Sequence, residues 1–527
     1  MWARGSVGRR PFQEPEWVVT APEDTADRYD GALKRGALFN LLGGLARLIQ
    51  PAYVLVISWL WGPAFAGLYL LAHALTEIVS GVIVAGYADA TMVFASRHTD
   101  AAAGDVERRR ALYHVLANTF AFSVGLALLA AVGAQLGARA LVEHVFPGYR
   151  ALLPGLYLLA WSLVPRSALQ IAIAATRATL RMQYDALLNG LVHPLCMLLG
   201  CLATYALGGQ LTELLAVQLL VDSVVCLLGL GAFARHFALR ELIAALRAFG
   251  FDREVLAFAV PQSLNLTFNR YITRLDGIML AAFGLGQAEL GYFSTAALLT
   301  SNIGQIRLVF SGALAPVVAR FHSGGERLAF QDALSRVTRW TTSLVVPVIL
   351  VLLVLREDIL RLVSHEYGKH SEFVAVLLIP PFTNCAYGMA GACLMFTGHS
   401  RVILANSFCV AILNTAFTYL LIPRYGMMGA AVATALATSI TTGLQVLELR
   451  RLERVLVPWR AVWKPHLGLL AGLSALLLVW DPVALPLMGR LTAAAGLVVG
   501  YAVLMLLLDH EELTRFTRRH DHQGAPD

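Results

Sequence analysis

Along the chain, apolar blocks of about 20 residues alternate with short polar joints. At 1.5 Å per helical residue, about 20 residues cross a hydrocarbon core of about 30 Å. About fourteen such blocks stand out, near 36–61, 66–92, 111–137, 151–176, 186–207, 213–233, 257–283, 289–316, 340–355, 374–398, 402–422, 428–447, 465–485 and 491–508. Gly62-Pro63, Gly208-Gly209 and Pro423 punctuate their ends. The pattern predicts an all-α polytopic membrane protein with about 14 transmembrane helices. The joint 234–256, as long as any between spans, contains HFALRELIAALRAF, which sets Leu239, Leu242, Ile243 and Leu246 on one helical face and Arg240 and Arg247 on another. That amphipathic pattern suits a helix lying on the inner leaflet among anionic lipid heads; a solvated linker helix is the alternative. The expected organisation is an N-terminal tail (1–35), six spans (36–233), the amphipathic linker (234–256), six more spans (257–447), a linker with two further spans (448–508) and a C-terminal tail (509–527).

One block departs from the pattern. AFAVPQSLNLTFNRYITRLDGIMLAAF, 257–283, is long enough to span, yet Gln262, Asn265 and Asn269 recur at helical spacing and Arg270, Arg274 and Asp276 lie within it. An arginine at the bilayer centre costs about 2.5–3.5 kcal/mol on insertion scales. Such a polar stripe must face protein or a wet cavity. Other spans carry charges too: Arg47, Glu77, Asp89, Arg166, Asp222 and Arg307. Guanidinium forks bind pyrophosphate and carboxylate oxygens in bidentate fashion and stay charged. Arg47, Arg270, Arg274 and Arg307, with Asn265 and Asn269, are therefore candidates for an anion site in a cationic cavity. Internal pairing, Arg47 with Glu77 or Arg274 with Asp222, is the alternative. Glu77, Asp222 and Asp276 are candidates for taking up a coupling ion, H⁺ or Na⁺.

The two sets of six spans look related. Leu60-Trp61-Gly62 ends span one and Gly67-Leu68-Tyr69 opens span two; Ala282-Phe283-Gly284 and Gly291-Tyr292-Phe293 do the same for spans seven and eight. Arg47 and Arg270 lie 15 and 14 residues upstream of Gly62 and Gly284, and Arg97 and Arg320 follow Gly67 and Gly291 by 30 and 29 residues. Six spans per repeat give parallel topology about an axis along the membrane normal.

Composition agrees with the class: 57% of residues are hydrophobic and 14% charged, against about 25% charged in soluble domains. With the N-terminus placed in the cytoplasm, 29 of the 41 Lys and Arg fall on cytoplasmic segments and 7 on outer ones. The positive-inside rule then puts both termini inside, and the bias accounts for the net charge of +7 without nucleic acid. No cleaved signal peptide is expected. The six cysteines all lie in apolar runs without a CxxC pair and read as small buried hydrophobes. His365-Glu366-Tyr367-Gly368-Lys369-His370 is HExxxH, whose histidines diverge on a helix, so no metal site is expected. Asn265-Leu266-Thr267 is a glycosylation sequon inside a span, and no Walker A motif occurs, so neither cofactor nor nucleotide is expected. A membrane glycosyltransferase or ligase would need a sizeable acidic outer loop, and the first outer loop is only a few residues around Pro63.

The string LIPRYGMMGAAVATALATS, 421–439, resembles the P-x-x-G-x-x-G-A-A-x-A-T opening of the twelfth helix in polysaccharide flippases of the multidrug, oligosaccharidyl-lipid and polysaccharide exporter superfamily. Pro261, Asp276 and Gly291-Tyr292-Phe293 are similar too, and the resemblance covers roughly 35–450. It implies two six-helix lobes in a V around a central cavity, with two C-terminal helices beyond them, and alternating access. It also implies a sugar joined through pyrophosphate to polyprenol, flipped from the inner to the outer leaflet of a bacterial cytoplasmic membrane for cell-surface polysaccharide such as O-antigen. Glycan polymerase and assembly proteins would be its partners. Fourteen spans also occur in the lipid II flippase branch, which leaves the branch open. Drug-extruding relatives tend to carry an acidic residue in the first helix, where this chain has Arg47; a multidrug or small-molecule antiporter is the second reading.

Overall fold

A computed structural model describes residues 50–98, 106–179, 181–248, 250–456, 459–479 and 486–523. Every regular element among them is helical. The main ones are α1 (Gln50–Trp61), α2 (Pro63–Ser96), α3 (Val106–Val145), α4 (Pro147–Ala178), α5 (Gln183–Ala206), α6 (Leu211–Ala234) and α7 (Leu239–Arg247). They continue with α8 (Arg253–Ala282), α9 (Gln287–Ser301), α10 (Gln305–Ser323) and α11 (Arg327–Val363). Last come α12 (Glu372–Tyr387), α13 (Met389–Phe396), α14 (Ser400–Leu452), α15 (Trp459–Val479) and α16 (Leu487–Gln523).

By length and composition, 7 described helices can cross a membrane alone, or 8 when α12 and α13, bent by 46° at Gly388, count as one. This is fewer than the fourteen expected from apolar runs. Span one is described only from Gln50, and α8, at 30 residues, is disqualified by its own polar stripe rather than by length. The 53 residues of α14 are two antiparallel arms. Twenty residues along one straight helix would separate Asn414 and Thr434 by about 30 Å, yet their side chains meet at 3.4 Å. Further along, Asn406 Nδ2 donates to Glu448 Oε2 at 2.5 Å. The reversal falls at Gly426, whose φ of 53° favours glycine. The arms thus match the expected spans 402–422 and 428–447.

In the first lobe α4 is central, packed against α3 and α6, with Phe233 edge-on to Phe120 and stacked on Phe237 in the apolar cluster at its C-terminal end. The α7 helix lies on the end of α3: Arg109 pairs with Glu241 at 2.7 Å and the Ala238 amide donates to the Tyr113 hydroxyl at 2.7 Å. Its apolar stripe divides. Leu242 enters the core while Leu239 and Ile243 stay exposed. In the second lobe α11 packs against α15 and α16. Arg490 of α16 meets Glu357 at 2.8 Å and Asp358 at 3.1 Å, and the Tyr501 hydroxyl donates to the Ser343 carbonyl at 3.1 Å. The last two helices are therefore docked on the second lobe by buried polar contacts as well as by apolar packing.

The two lobes meet along α2. At one end the repeat-related glycines touch: a Cβ on Gly67 would overlap the Gln287 carbonyl, and one on Gly291 would overlap that of Pro63. At the other end Gly86 lies against the backbone of Ala259 and Ser263. Polar contacts accompany both seams. The Tyr149 hydroxyl donates to the Leu285 carbonyl at 2.7 Å and Gln287 donates to the Gly148 carbonyl at 2.9 Å near the first. Gln262 donates to Asp89 at 2.8 Å and Arg97 pairs with Glu254 at 3.2 Å near the second.

Candidate functional site

Between those two seams lies a charged cluster built from five helices. Midway along α2 the helix widens into a π turn, Gly81–Ala85, a local irregularity found often at functional sites. Glu77 and Ser80 sit just before it. Arg270 of α8 reaches across from the second lobe, and its Nη1 donates to Ser80 Oγ at 3.1 Å, to the Glu77 carbonyl at 3.3 Å and to Glu77 Oε2 at 3.4 Å. Gly81 makes room for this approach, since a Cβ there would lie 2.9 Å from Thr267 and 3.3 Å from Arg270 Cδ. On the other side of Glu77, Arg166 of α4 approaches Oε1 at 3.6 Å. Arg166 is held more tightly by Asp222 of α6, Nε to Oδ2 at 2.9 Å, and His193 of α5 contacts the other Asp222 oxygen at 3.0 Å.

The cluster therefore joins two arginines to two carboxylates. Asp222 is 2% exposed, and its desolvation is offset by a charge-assisted pair at each oxygen. Arg270, at 33%, is the member that borders open space. These pairings correct one expectation, since Asp222 pairs with Arg166 and His193 rather than Arg274; Glu77 pairs with Arg270 and Arg166. Arg47 lies outside the described residues.

Arg274, one turn along α8 from Arg270, has no ion pair or hydrogen bond among the described residues. Arg307, on α10, likewise has no carboxylate partner, and its Nε is buried without a hydrogen bond. Asn265 accepts from Ser407 at 3.3 Å, tying α8 to the first arm of α14. Exposed Asn269 donates to the Asn265 carbonyl one turn back at 3.0 Å.

Asp276 belongs to a separate, cation-free nest. It is 8% exposed. Thr434 donates to its Oδ2 at 2.5 Å and Asn414 to its Oδ1 at 3.5 Å, while Thr418 and Thr434 both approach Asn414 Oδ1 at 3.4 Å. No described Lys, Arg or His pairs with it. Ala430, Ala431 and Ala433 are fully buried, and such small side chains let helix backbones come close. That closeness brings Thr434 onto Asp276. The nest presents carboxylate, amide and hydroxyl oxygens, hard donors suited to a proton or an alkali cation.

Sequence reasoning made Asp276 a candidate for ion coupling, with Glu77 and Asp222, and passed over Asn414, Thr418 and Thr434. A signal was there: Asn414 and Thr418 are one helical turn apart in an apolar span, and Thr434 closes the quoted glycine–alanine motif. Ser80 and His193 carried no such signal.

Comparison with known proteins places this geometry. A family model described as "Polysaccharide biosynthesis protein" matches residues 106–369. The chain is 24% identical over 292 residues to the "Probable low-salt glycan biosynthesis flippase Agl15" of Haloferax volcanii, a match spanning 54% of this chain and 59% of that one. Among solved structures it is similar to the lipid II flippase MurJ in an inward closed conformation, with a TM-score of 0.68, 12% identity and coverage of 90% and 99% of the two chains. It is also similar to an inward-facing multidrug resistance MATE family transporter, with a TM-score of 0.66, 13% identity and coverage of 79% and 98%. The fold is that of these transporters, and the chain is a multi-pass membrane protein. With 106–369 spanning half of its 527 residues, the chain belongs to the polysaccharide biosynthesis protein family.

Proposed function

We propose that this protein is a flippase, not an enzyme, which moves a polyprenyl-pyrophosphate-linked oligosaccharide from the inner to the outer leaflet by alternating access. The observation that carries the reading is a set of second-lobe arginines: Arg270, which borders open space, and Arg274 and Arg307, which have no carboxylate partner among the described residues. Uncompensated guanidinium in a water-poor surrounding is costly unless an anion joins it, and pyrophosphate fits the fork. Arg47 is assigned the same role from its matched depth in the first repeat. Asn265 and Asn269, on the same stripe, are assigned to the sugar. Family membership and the Agl15 likeness support a glycan cargo.

Of the three carboxylates considered for ion coupling, Asp276 is assigned the role, with H⁺ or Na⁺ as the ion. Glu77 and Asp222 already hold arginines, whereas Asp276 has an oxygen nest and no cation. Both termini are assigned to the cytoplasm from the Lys and Arg bias, in the bacterial cytoplasmic membrane that the family resemblance implies, with anionic lipids around the basic inner loops and polymerase or assembly proteins as partners. The lipid II branch is the second reading, favoured by the likeness to MurJ over 90% of this chain.

The test is glycan export in cells lacking the native flippase, with protein levels matched. A charge-assisted contact to an anion contributes about 1.5–3 kcal/mol, so Arg274→Ala and Arg307→Ala should each lower export by about tenfold or more. Normal export by both variants sinks the anion-cavity reading.

A further inference from the structure

The Arg270–Glu77 contact is the ion pair that joins the lobes at mid-depth. Three features make it unlike a structural salt bridge. Its distance is 3.4 Å, longer than the 2.7–2.9 Å of a well-made charged contact. Its arginine borders open space, at 33% exposure, while Arg166 behind it is at 16%. Glu77 also has a second cation in reserve, Arg166 at 3.6 Å. Removing Arg270 from Glu77 therefore leaves no orphaned charge on the first lobe. Arg166 remains beside Glu77 and paired to Asp222 at 2.9 Å.

We propose that Glu77 is a resident anion that occupies Arg270 in the substrate-free transporter and is displaced by the phosphate of the incoming lipid, so that loading the anion site and loosening α2 from α8 are one event. The inference rests on the proposed anion cavity and adds a role to a residue outside the cationic set. Phosphate offers Arg270 what Glu77 offers now, a pair of acceptor oxygens. It differs in being attached to neither lobe. Once phosphate takes the guanidinium, the mid-depth tie between α8 and α2 is gone. What then holds that half of the interface is the Gln262–Asp89 bond, the exposed Arg97–Glu254 pair, the Phe94–Phe258 contact and the close helix approaches at Gly81 and Gly86. An exposed ion pair contributes only about 0.2–1 kcal/mol, so those remaining polar ties are weak. Glu77 thereby neutralises Arg270 and holds that half of the interface shut while the site is empty, and makes opening conditional on an anion.

The experiment uses the full chain in nanodiscs, with inorganic pyrophosphate as the probe in calorimetric titrations. Glu77→Gln keeps the side-chain shape but gives up the competing charge. It should bind pyrophosphate more tightly than the wild type, on the order of tenfold. Arg270→Ala should bind more weakly by a similar factor, and adding Glu77→Gln to Arg270→Ala should give no further gain, because the competition has lost its object. A second readout is disulfide formation between Arg97→Cys and Glu254→Cys, with the native cysteines replaced. Pyrophosphate should slow it with Glu77 present, and Glu77→Gln should form it slowly without the probe. Unchanged or weaker binding by Glu77→Gln overturns the displacement. Tighter binding with an unaffected crosslink overturns its link to opening. If Arg270→Ala and Arg274→Ala both bind as the wild type does, the anion cavity itself is wrong, a separate failure. Should Glu77→Gln not fold, Glu77→Asp, shorter by one methylene, should shift binding the same way by a smaller factor; no shift would equally overturn the proposal.

Discussion

Replacing Gly291 by alanine tests the seam between α2 and α9. The added Cβ would overlap the carbonyl oxygen of Pro63 and stand 2.7 Å from its carbonyl carbon and 3.1 Å from its Cα. All three are backbone atoms in the first turn of a helix, so no rotamer relieves them. The two helices must part by about an ångström, and overpacking of this kind costs about 1–3 kcal/mol. That penalty falls only on the conformation in which the seam is closed. It therefore moves the equilibrium toward the seam-open state by about fivefold to over a hundredfold. The seam lies at the end poor in Lys and Arg, the outer end in the proposed orientation. Thr295, buried and 3.4 Å from Ser58 across the interface, reports on it. In a variant without native cysteines, Thr295→Cys should react with a membrane-impermeant maleimide on intact cells faster when Gly291→Ala is present. Export should fall, because the outward state is over-populated. Gly125→Ala is the control: its Cβ meets nothing within 4 Å, and alanine favours the helix by up to about 1 kcal/mol. If Gly291→Ala labels and exports as Gly125→Ala does, the seam is not a gate and the reasoning fails.

Two further outcomes follow from named contacts. Asp276→Asn preserves shape and removes the charge; export should lose its response to a Na⁺ or H⁺ gradient while the protein level holds, and an unchanged response in gradient-clamped vesicles would remove Asp276 from coupling. Arg490→Met should destabilise the docking of the last two helices by about 3–5 kcal/mol, because Glu357 and Asp358 lose a buried partner; thermal unfolding in detergent measures it, Glu357→Gln should restore part of the loss, and an unshifted midpoint would make the bridge dispensable.

Most of the helical architecture was legible because membrane length and apolar runs translate directly into spans. The reversal at Gly426 was legible as well, since Pro423 and the run of Gly and Ala mark a break. Charge pairing was not. The partner of a buried carboxylate depends on which helix faces meet, and Asp222 could have met any arginine at its depth. The α4–α6 packing gave it Arg166, a residue left out of the candidate set. Similarly, the Asp276 nest draws on residues 138 and 158 positions away. Asparagine and threonine in an apolar span carry so little cost that they do not call for a partner in the way arginine does.

The repeat explains how one helix serves both ends of the interface. Gly67 and Gly291 occupy equivalent places in the two halves, so an axis relating the halves passes between them, and each glycine faces the first turn of the other's helix. That is why this seam is made by backbone on both sides, with side-chain hydrogen bonds flanking it. The α2–α8 seam has no such self-pairing, since it joins the second helix of one half to the first helix of the other. It is free to carry unlike partners, and it does: Asp89 with Gln262, Glu77 with Arg270, Arg97 with Glu254. Contacts between unlike charges can be exchanged for contacts to a ligand, whereas interlocked backbone can only separate. A charged cargo therefore has purchase on the α2–α8 seam and none on the glycine pair. The same asymmetry predicts the order of events: the anion acts at the α2–α8 seam, and the glycine seam parts afterwards as the lobes turn about the axis it marks.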